Sequence, residues 1–380
     1  MPRLTVDLPG RAYPVLVGLG ALQELPRLVK EMGATGAAVV SDRLVAPHWA
    51  EPVVAGLTGL GVPAGLHVVE PGEGAKSLAG YGQVLEFLEE SRLDRAGVVL
   101  AVGGGRVGDL AGFAAATWLR GVRHVQVPTS LLAMVDSSIG GKTGINTART
   151  KNSVGAFWQP AAVVADLATL STLPEDEYLA AFGEIVKYAV AMDRELADQL
   201  GAEHAALLAR DPGALEPVVY RCVELKGRVV VADEREAGPR AILNYGHTVG
   251  HALEVASGYA AAHGRAISQG MRVAARLSER VGLCGADVVE AQDGLLRTFR
   301  LPGPLPRVTV EDVLAAISRD KKGRGGAVGW VLPREVGKAQ VGVLAPEAVV
   351  ADVVTSVLGD NGETTQGDPR PRPPTRQRST

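Results

Sequence analysis

Arg240, Asn244, His247 and His251 recur at a spacing that gathers them. On one helix, at about 100° per residue, they fall near 0°, 40°, −20° and 20°, with Ile242, Val249 and Leu253 near the opposite face. A merely solvated face would normally carry Lys and Glu. Two imidazoles, an amide and a guanidinium point instead to ligand or acid–base work. His247 and His251, at i and i+4, can both ligate a metal, or one can ligate while the other moves a proton. Gly238-Pro239 predicts the helix start. His263-Gly264 is predicted to open the next helix, so three of the seven histidines fall within 17 residues. Glu184-Ile-Val-Lys187 sets a carboxylate and an ammonium on one helical face. That spacing is common in surface ion pairs, yet Glu184 is also the oxygen that would complete a two-histidine, one-carboxylate cation site open to a substrate oxygen. Lys226, Glu236 and the run Asp320-Lys-Lys322 are further candidates, each ordinary on a surface if taken alone.

Glycine turns supply the second chemistry. Val98–Val102 reads as a buried strand, and Gly103-x-Gly105-x-x-Gly108 follows it directly. Such glycines let backbone approach a pyrophosphate, and the following helix N-terminus supplies N–H groups. The usual acid about 20 residues on is absent. Position 124 is histidine, and Asp42, closing an earlier strand, is the alternative ribose partner. Gly140-Gly-Lys-Thr143 looks like the end of a P-loop, but the position that needs the first glycine holds Asp136, which argues against a nucleotide triphosphatase. Asp136, Lys142, Lys151 and Asn152 remain on a stretch read as glycine-rich loop, suited to holding a phosphate.

These residues need elements to hold them. Short apolar runs at Leu4–Leu8, Tyr13–Val17, Ala37–Ser41, Gly65–Val69, Val98–Val102, Val125–Val127 and Ala162–Ala165 alternate with helical stretches, which predicts a mostly parallel sheet covered on both faces. After Ser171 helical periodicity dominates: Asp176–Met192, Pro212–Val231, Arg240–Val255, Gly264–Val281 and Val288–Phe299, with strand character returning at Val328–Leu332. The expected boundary lies at residue 170, giving domains over 1–170 and 171–358. Residues 359–380 carry four Pro, four Arg and no aliphatic or aromatic side chain, and are expected to be a disordered tail. The 380 residues have a formal net charge of −3, so no general attraction to nucleic acid or anionic lipid is expected. Aromatics at 4% and 47 glycines fit a core of Ala, Val and Leu packed on a parallel sheet. Two cysteines outside any CxxC, and no long apolar run, predict a soluble cytoplasmic protein.

At these residues the chain resembles the 3-dehydroquinate synthase family of sugar-phosphate cyclases over about residues 5–350. The resemblance rests on the turn from Gly103 to Asp109, Thr117-x-x-Arg120-Gly121, the run from Pro128 to Gly144, Lys151-Asn152, Gly155-Ala-Phe-x-Gln-Pro160, Glu184-x-x-Lys187, the run from Leu243 to Glu254, His263-Gly264 and Asp320-Lys-Lys322. It implies an α/β fold: an N-terminal Rossmann-like NAD-binding domain with a mostly parallel sheet, then an all-α C-terminal domain. It implies a homodimer and one divalent metal, zinc or cobalt, on Glu184, His247 and His263. The implied reaction turns 3-deoxy-D-arabino-heptulosonate 7-phosphate into 3-dehydroquinate and phosphate, the second step of the shikimate pathway. An alcohol is oxidised by NAD, phosphate is eliminated, the ketone is reduced again, the ring opens and an aldol closure follows, with no net redox change.

By the same resemblance Lys142, Asn152, Lys187 and His251 face the substrate phosphate, with Arg120 reaching over from a neighbouring subunit. Arg240 and a lysine of the Asp320-Lys-Lys322 run, taken as Lys322, face the carboxylate. Asp136, Lys226, Glu236 and Asn244 bind hydroxyls or brace neighbours. Asp42, Glu73, Lys76, Gly104, Gly105, Arg106, Asp109, Thr129, Ser130, Leu132, Asp136, Lys142, Lys151, Thr172, Leu173 and Glu177 line NAD. Two positions depart from the family pattern. Arg106 stands where an aliphatic residue is usual, and is expected to touch cofactor phosphate or point to solvent. Arg265 stands where Glu is usual, and is expected to alter the surroundings of the metal ligands. Three alternatives remain: a cyclase acting on sedoheptulose 7-phosphate or glucose 6-phosphate, a metal-dependent alcohol dehydrogenase, and a degenerate interaction module. Lys226, Arg240 and Asn244 favour a carboxylated substrate.

Overall fold

Strand Val98–Gly103 is apolar apart from its last glycine, and all its residues are buried, as a central parallel strand covered on both faces must be. The computed structural model describes residues 3–148, 150–236, 238–323 and 328–359. The first half contains β1 (Arg3–Val6), β2 (Tyr13–Gly18), α1 (Leu25–Glu31), β3 (Ala37–Asp42), α2 (Glu51–Gly59), β4 (Ala64–Val69), α3 (Leu78–Glu90), β5 (Val98–Gly103), α4 (Gly105–Thr117) and β6 (Arg123–Pro128). Next come β7 (Lys142–Ile145), β8 (Val154–Phe157) and β9 (Ala162–Asp166). Seven strands form one sheet in the order β1-β2-β9-β6-β5-β3-β4, parallel except for the β1–β2 pair. Val98, Leu100 and Val102 pack one way, with Leu25, Val29 and Leu57 of α1 and α2. Val99 and Ala101 pack the other way, with Val84 and Leu88 of α3 and Leu110 and Ala114 of α4.

The second half is α5 (Glu175–Met192), α6 (Arg194–Leu208), α7 (Pro212–Ala232), α8 (His247–Ala256), α9 (His263–Arg280), α10 (Ala286–Thr298), α11 (Val310–Gly323), the antiparallel hairpin β10 (Trp330–Glu335) and β11 (Lys338–Val343), and α12 (Glu347–Gly359). It is helical as expected, with that one hairpin added. Among the described residues no helix is long and apolar enough to cross a membrane. The largest core joins the two halves: Val15, Val17, Val163 and Ala165 of the sheet pack with Phe182, Ile185, Val218 and Val223 of α5 and α7. The proposed tail beyond Gly359 lies outside the described residues.

Two local expectations are corrected. The single helix expected over 240–255 is broken. Pro239–Asn244 is a 3₁₀ turn, Gly246 has φ +78°, and α8 begins at His247. The break follows from packing, because a Cβ on Gly246 would lie 2.6 Å from Met271 Cγ and 2.8 Å from the Ile267 carbonyl of α9. Positive φ and close approach both demand glycine there. So the shared helical face holds for His247 and His251, whereas Arg240 and Asn244 arrive on the preceding turn. Part of the segment read as glycine-rich loop pairs as a hairpin, with Lys142 opposite Phe157 and Ile145 opposite Val154, while Asp136 lies on a short helical turn and Lys151 and Asn152 stay in the loop between the strands.

Candidate functional site

Three helices converge on one carboxylate. Glu184, in the middle of α5, is fully buried. His247 and His263 are the first residues of α8 and α9. Their Nε2 atoms lie 3.5 and 3.4 Å from the same Glu184 oxygen, Oε1. Small residues permit this: a Cβ on Gly264 would lie 1.7 Å from the Ala180 carbonyl, and one on Gly183 would lie 2.2 Å from the Gly264 carbonyl. Each imidazole is oriented from behind, His247 Nδ1 against the Tyr245 carbonyl at 3.1 Å and His263 Nδ1 against Glu254 Oε1 at 3.3 Å. Both Nδ1 atoms therefore face acceptors. His251, one turn along α8, has its ring 5.1 Å from that of His247.

The donor set fits a divalent cation. Glu184 Oε2 is ion-paired with Lys187, while buried Oε1 has no hydrogen-bond donor of regular geometry and faces only the two imidazoles, an arrangement a buried carboxylate oxygen rarely adopts without a further partner. One ligand atom from each of Glu184, His247 and His263 lies within 4.8 Å of the others, and two nitrogens with one carboxylate oxygen suit zinc or a similar ion. Burial would raise the Glu184 carboxyl, but Lys187, His247 and His263 hold it well below the usual range. Burial pushes His247 down to about 3. It opposes the charge on His263 too, yet Glu184 and Glu254 push that ring up to about 10.

Buried charge continues from there. Lys187 pairs with Glu184 and lies 3.8 Å from Asp136 Oδ1. Asp136 Oδ1 accepts from Tyr188 Oη at 2.7 Å and from Lys226 Nζ at 2.8 Å, and Lys226 also donates to the Asp136 carbonyl. Burial raises the Asp136 carboxyl, but Lys226 and Lys187 hold it well below the ordinary value. Burial lowers Lys226. Lys142 pairs with Glu236, which accepts from Asn244 Nδ2 at 3.3 Å. Arg240 is 1% exposed and donates to the carbonyls of Glu234 and Gly140, while its Nε is buried without a partner.

The glycine turn forms a second cluster. Helix α4 begins at Gly105 with no side-chain cap, and a Cβ on Gly105 would lie 2.6 Å from Ser137 Oγ. An uncapped, bare N-terminus of this kind leaves N–H groups free to receive an anion. Around it runs a ring of polar contacts. Arg106 Nε donates to Glu73 at 3.0 Å, and Glu73 accepts from Asn146 Nδ2 at 2.7 Å. Asn146 Oδ1 accepts from the Asn152 amide at 2.9 Å. Lys76 closes the ring, contacting both the Asn152 side chain and Asp109. Lys151 Nζ lies 4.1 Å from the Tyr259 ring centroid, joining this loop to the end of α8. Asp42 Oδ1 accepts from the amides of Leu44 and Val45, Thr129 donates its amide to the Gly103 carbonyl, and Ser130 Oγ accepts from the Ala133 amide.

Other sequence-derived candidates stand apart from both clusters. Leu132 and Leu173 pack at the edge of the large core. Thr172 accepts from Trp49 Nε1 at 2.8 Å, Glu177 is exposed, and Arg120 is exposed with φ +68°. The side chain of Lys322 lies outside the described residues. The expectation for Arg265 is corrected. Arg265 turns away from the histidines, donating to the Pro302 carbonyl and to Asp176, so Glu254 rather than residue 265 stands behind His263. Arg106 is half exposed and paired with Glu73. Sequence reasoning assigned no role to Glu254 or Tyr188. Glu254 lies seven residues after His247 and three after His251, the same face of α8, and that spacing was available to find it. Tyr188 directly follows Lys187, and no residue spacing marks its contact with Asp136.

Comparison with known proteins agrees with this layout. Residues 66–180 match the family model described as 3-dehydroquinate synthase N-terminal, and residues 181–323 match its C-terminal counterpart. A 3-dehydroquinate synthase from Halorhodospira halophila is 46% identical over 93% of this chain and 99% of its own length. A 2-deoxy-scyllo-inosose synthase, solved with carbaglucose-6-phosphate, NAD+ and Co2+, superposes with a TM-score of 0.86 at 25% identity, covering 93% of this chain and 99% of that one. A 2-epi-5-epi-valiolone synthase from Streptomyces hygroscopicus subsp. jinggangensis, with NAD+ and Zn2+ bound, gives 0.84 at 27% identity, covering 92% of this chain and 97% of its own. Matched along nearly its whole length by such relatives, the chain belongs to the 3-dehydroquinate synthase family.

Proposed function

We propose that this protein converts 3-deoxy-D-arabino-heptulosonate 7-phosphate into 3-dehydroquinate and phosphate, as an NAD- and divalent-metal-dependent phosphate lyase of the shikimate pathway. The observation that carries the reading is the convergence of His247 and His263 on one unpartnered oxygen of buried Glu184, with Lys187, Asp136 and Lys226 packed behind it. When bound, the cation polarises a substrate hydroxyl and NAD supplies a reversible hydride acceptor. Glu184, His247 and His263 hold the cation, zinc or cobalt. Gly104, Gly105 and the α4 amides take the pyrophosphate, Asp42 the ribose, and Lys76, Asp109, Glu73 and Lys151 brace the loops around it. Thr129 and Ser130 wall the cofactor beside the turn, and Leu132, Thr172, Leu173 and Glu177, which stand apart from the polar ring, are assigned to its far side by the family resemblance alone.

The protein's remaining task is to position a dianion and a carboxylate while protons move over short distances. Lys142, Asn152, Lys187 and His251 are set to hold the phosphate, with Arg120 of a second copy in a homodimer. Arg240 and Lys322 take the carboxylate, and the orphaned Nε of Arg240 supports this because a buried donor without an acceptor awaits one. Asp136, Lys226, Glu236 and Asn244 bind hydroxyls or fix their neighbours. Residues 1–170 act as the cofactor domain and 171–358 as the metal and substrate domain of a cytoplasmic enzyme. The deciding experiment follows phosphate release from the heptulosonate phosphate with and without NAD, and after chelation. Phosphate release should require both cofactors without NADH accumulating. Stoichiometric NADH would replace this reading with a dehydrogenase, and better turnover of sedoheptulose 7-phosphate would replace it with another cyclase.

A further inference from the structure

His247 and His263 meet the same carboxylate oxygen, but they are held from behind by different groups. His247 is fixed by a backbone carbonyl, that of Tyr245. Tyr245 is itself anchored, its phenol bonded to Gln292, which donates to the Met271 carbonyl at 3.0 Å. His263 has no such backbone partner. Its Nδ1 faces the side-chain carboxylate of Glu254. Glu254 is buried near the end of α8, where its backbone carbonyl accepts from the amide of Tyr259 and from Ser257 Oγ. His263 is the first residue of α9, at the end of a turn that carries no side-chain cap.

A neutral imidazole carries one N–H and one lone pair. For Nε2 of His263 to present its lone pair toward Glu184 and His247, the proton must sit on Nδ1, and a carboxylate facing Nδ1 makes that tautomer the favoured one. We propose that Glu254 is the positioning residue of this cluster: by accepting the Nδ1 proton of His263, it fixes the ring's tautomer and direction and so sets the affinity for the cation. The proposal rests on reading Glu184, His247 and His263 as a cation site. It assigns Glu254 no contact with substrate or cofactor.

The test measures cation affinity rather than turnover. Full-length protein is stripped by chelation, and Zn2+ affinity is read by competition with a chromophoric chelator for the natural chain, Glu254→Ala, Glu254→Gln and Glu184→Ala. Glu254→Ala should bind Zn2+ about 10–100-fold more weakly. Glu254→Gln should lie between it and the natural chain, because its amide oxygen still accepts from Nδ1. Metal-free Glu254→Ala should also lose thermal stability, because Glu254 favours the charge on His263, so the discriminating readout is the partial rescue of Zn2+ affinity by Glu254→Gln, which a purely structural role would not produce. If Glu254→Ala kept its affinity within about threefold while Glu184→Ala lost it, the positioning role would be overturned and the cation site would stand. If Glu184→Ala also kept its affinity, the cation reading itself would fall. Should the alanine variant not fold, Glu254→Leu, which fills the space without offering an acceptor, decides by the same threshold, about threefold.

Discussion

The metal-type cluster and the glycine turn use the same charged residue types but hold them differently. At the first, Glu184, Lys187 and Lys226 are buried on long helices, α5 and α7, whose other side chains fill the largest core. At the second, Arg106, Glu73 and Asn152 sit on loops and a helix start, and the Arg106–Glu73 pair is 54% and 35% exposed. Charges in the core are costly unless paired, so the first cluster is preorganised and intolerant of loss. The Arg106–Glu73 pair in the polar ring is partly solvated, individually weak and able to rearrange around a nucleotide, while buried Lys76 on Asp109 anchors the ring. The difference suits fixed geometry at the proposed cation site and adaptability at the proposed cofactor turn.

The largest effect should come from breaking the first cluster at its vertex. Glu184→Ala removes the oxygen that both histidines face and leaves Lys187 buried beside one fewer carboxylate. Cation affinity should fall by at least about 100-fold, beyond the usual loss for a supporting group. Phosphate release should become undetectable in the presence of NAD. Retained cation binding by direct metal analysis would dissolve the contrast between the two regions.

Asp136→Asn probes the same buried network one step back. Lys226 and Lys187 would lose their shared partner, and destabilisation of about 3 kcal/mol is expected in urea unfolding, the lower end for a broken buried pair because Asp136 is itself partly exposed. Burial raises this carboxyl, but the two lysines prevail and hold it low. A depressed carboxyl stabilises the fold above its unfolded value of about 4 and loses that contribution as pH falls further. The natural chain should therefore shed stability below about pH 4 more steeply than Asp136→Asn. Parallel acid limbs would show that Asp136 contributes nothing by ionisation.

How far the sequence disclosed this site depends on which force set each part. The strands of the sheet are apolar runs bounded by turns, and periodicity finds them. His247, His251 and His263 are visible because clustered imidazoles are unusual on a solvated face, whereas Glu184 and Lys187, at a spacing common in surface ion pairs, stand out chiefly through the family resemblance. The break at Gly246 was illegible, since its cause is the approach of Met271 and Ile267 from the following helix, far along the chain. Lys142–Ile145 and Val154–Phe157 pair as a hairpin although Gly140, Gly141 and Gly144 read as loop, because tertiary pairing overrides weak local preference. Arg265 beside His263 in sequence suggested a charged neighbour for the ligands. On α9 its side chain instead reaches Asp176 and Pro302, which adjacency in sequence does not reveal.

A smaller effect, confined to substrate choice, is expected for Arg240→Lys. The guanidinium is held by two carbonyls and keeps one buried donor free. Lysine cannot reproduce a planar fork. At least about tenfold should be lost in kcat/KM for the carboxylated substrate, about 1.4 kcal/mol. NAD affinity should be unchanged, because Arg240 touches none of the polar ring. Equal loss of NAD affinity would mean that the two regions are coupled through Gly140.

The smallest effect tests the rim. Arg106→Ala removes one exposed ion pair from a ring that retains Glu73–Asn146, Asn146–Asn152 and Lys76–Asp109. Such pairs contribute about 0–1 kcal/mol, so stability should hardly move. NAD affinity should change by no more than about fivefold at low salt, and the difference should shrink as salt screens the pair. Direction matters more than size here. Arg106 next to an uncapped helix start adds positive potential for a pyrophosphate, so its loss should weaken NAD binding. Removing it also frees Glu73, whose carboxylate is held below its ordinary value by Asn146, Lys151, Lys76 and Arg106 despite the upward push of burial. The freed negative charge would act in the same direction. Tighter NAD binding by Arg106→Ala, measured by fluorescence titration, would show that the Arg106–Glu73 pair obstructs the cradle, and that the rim too is a fixed structure rather than an adaptable one.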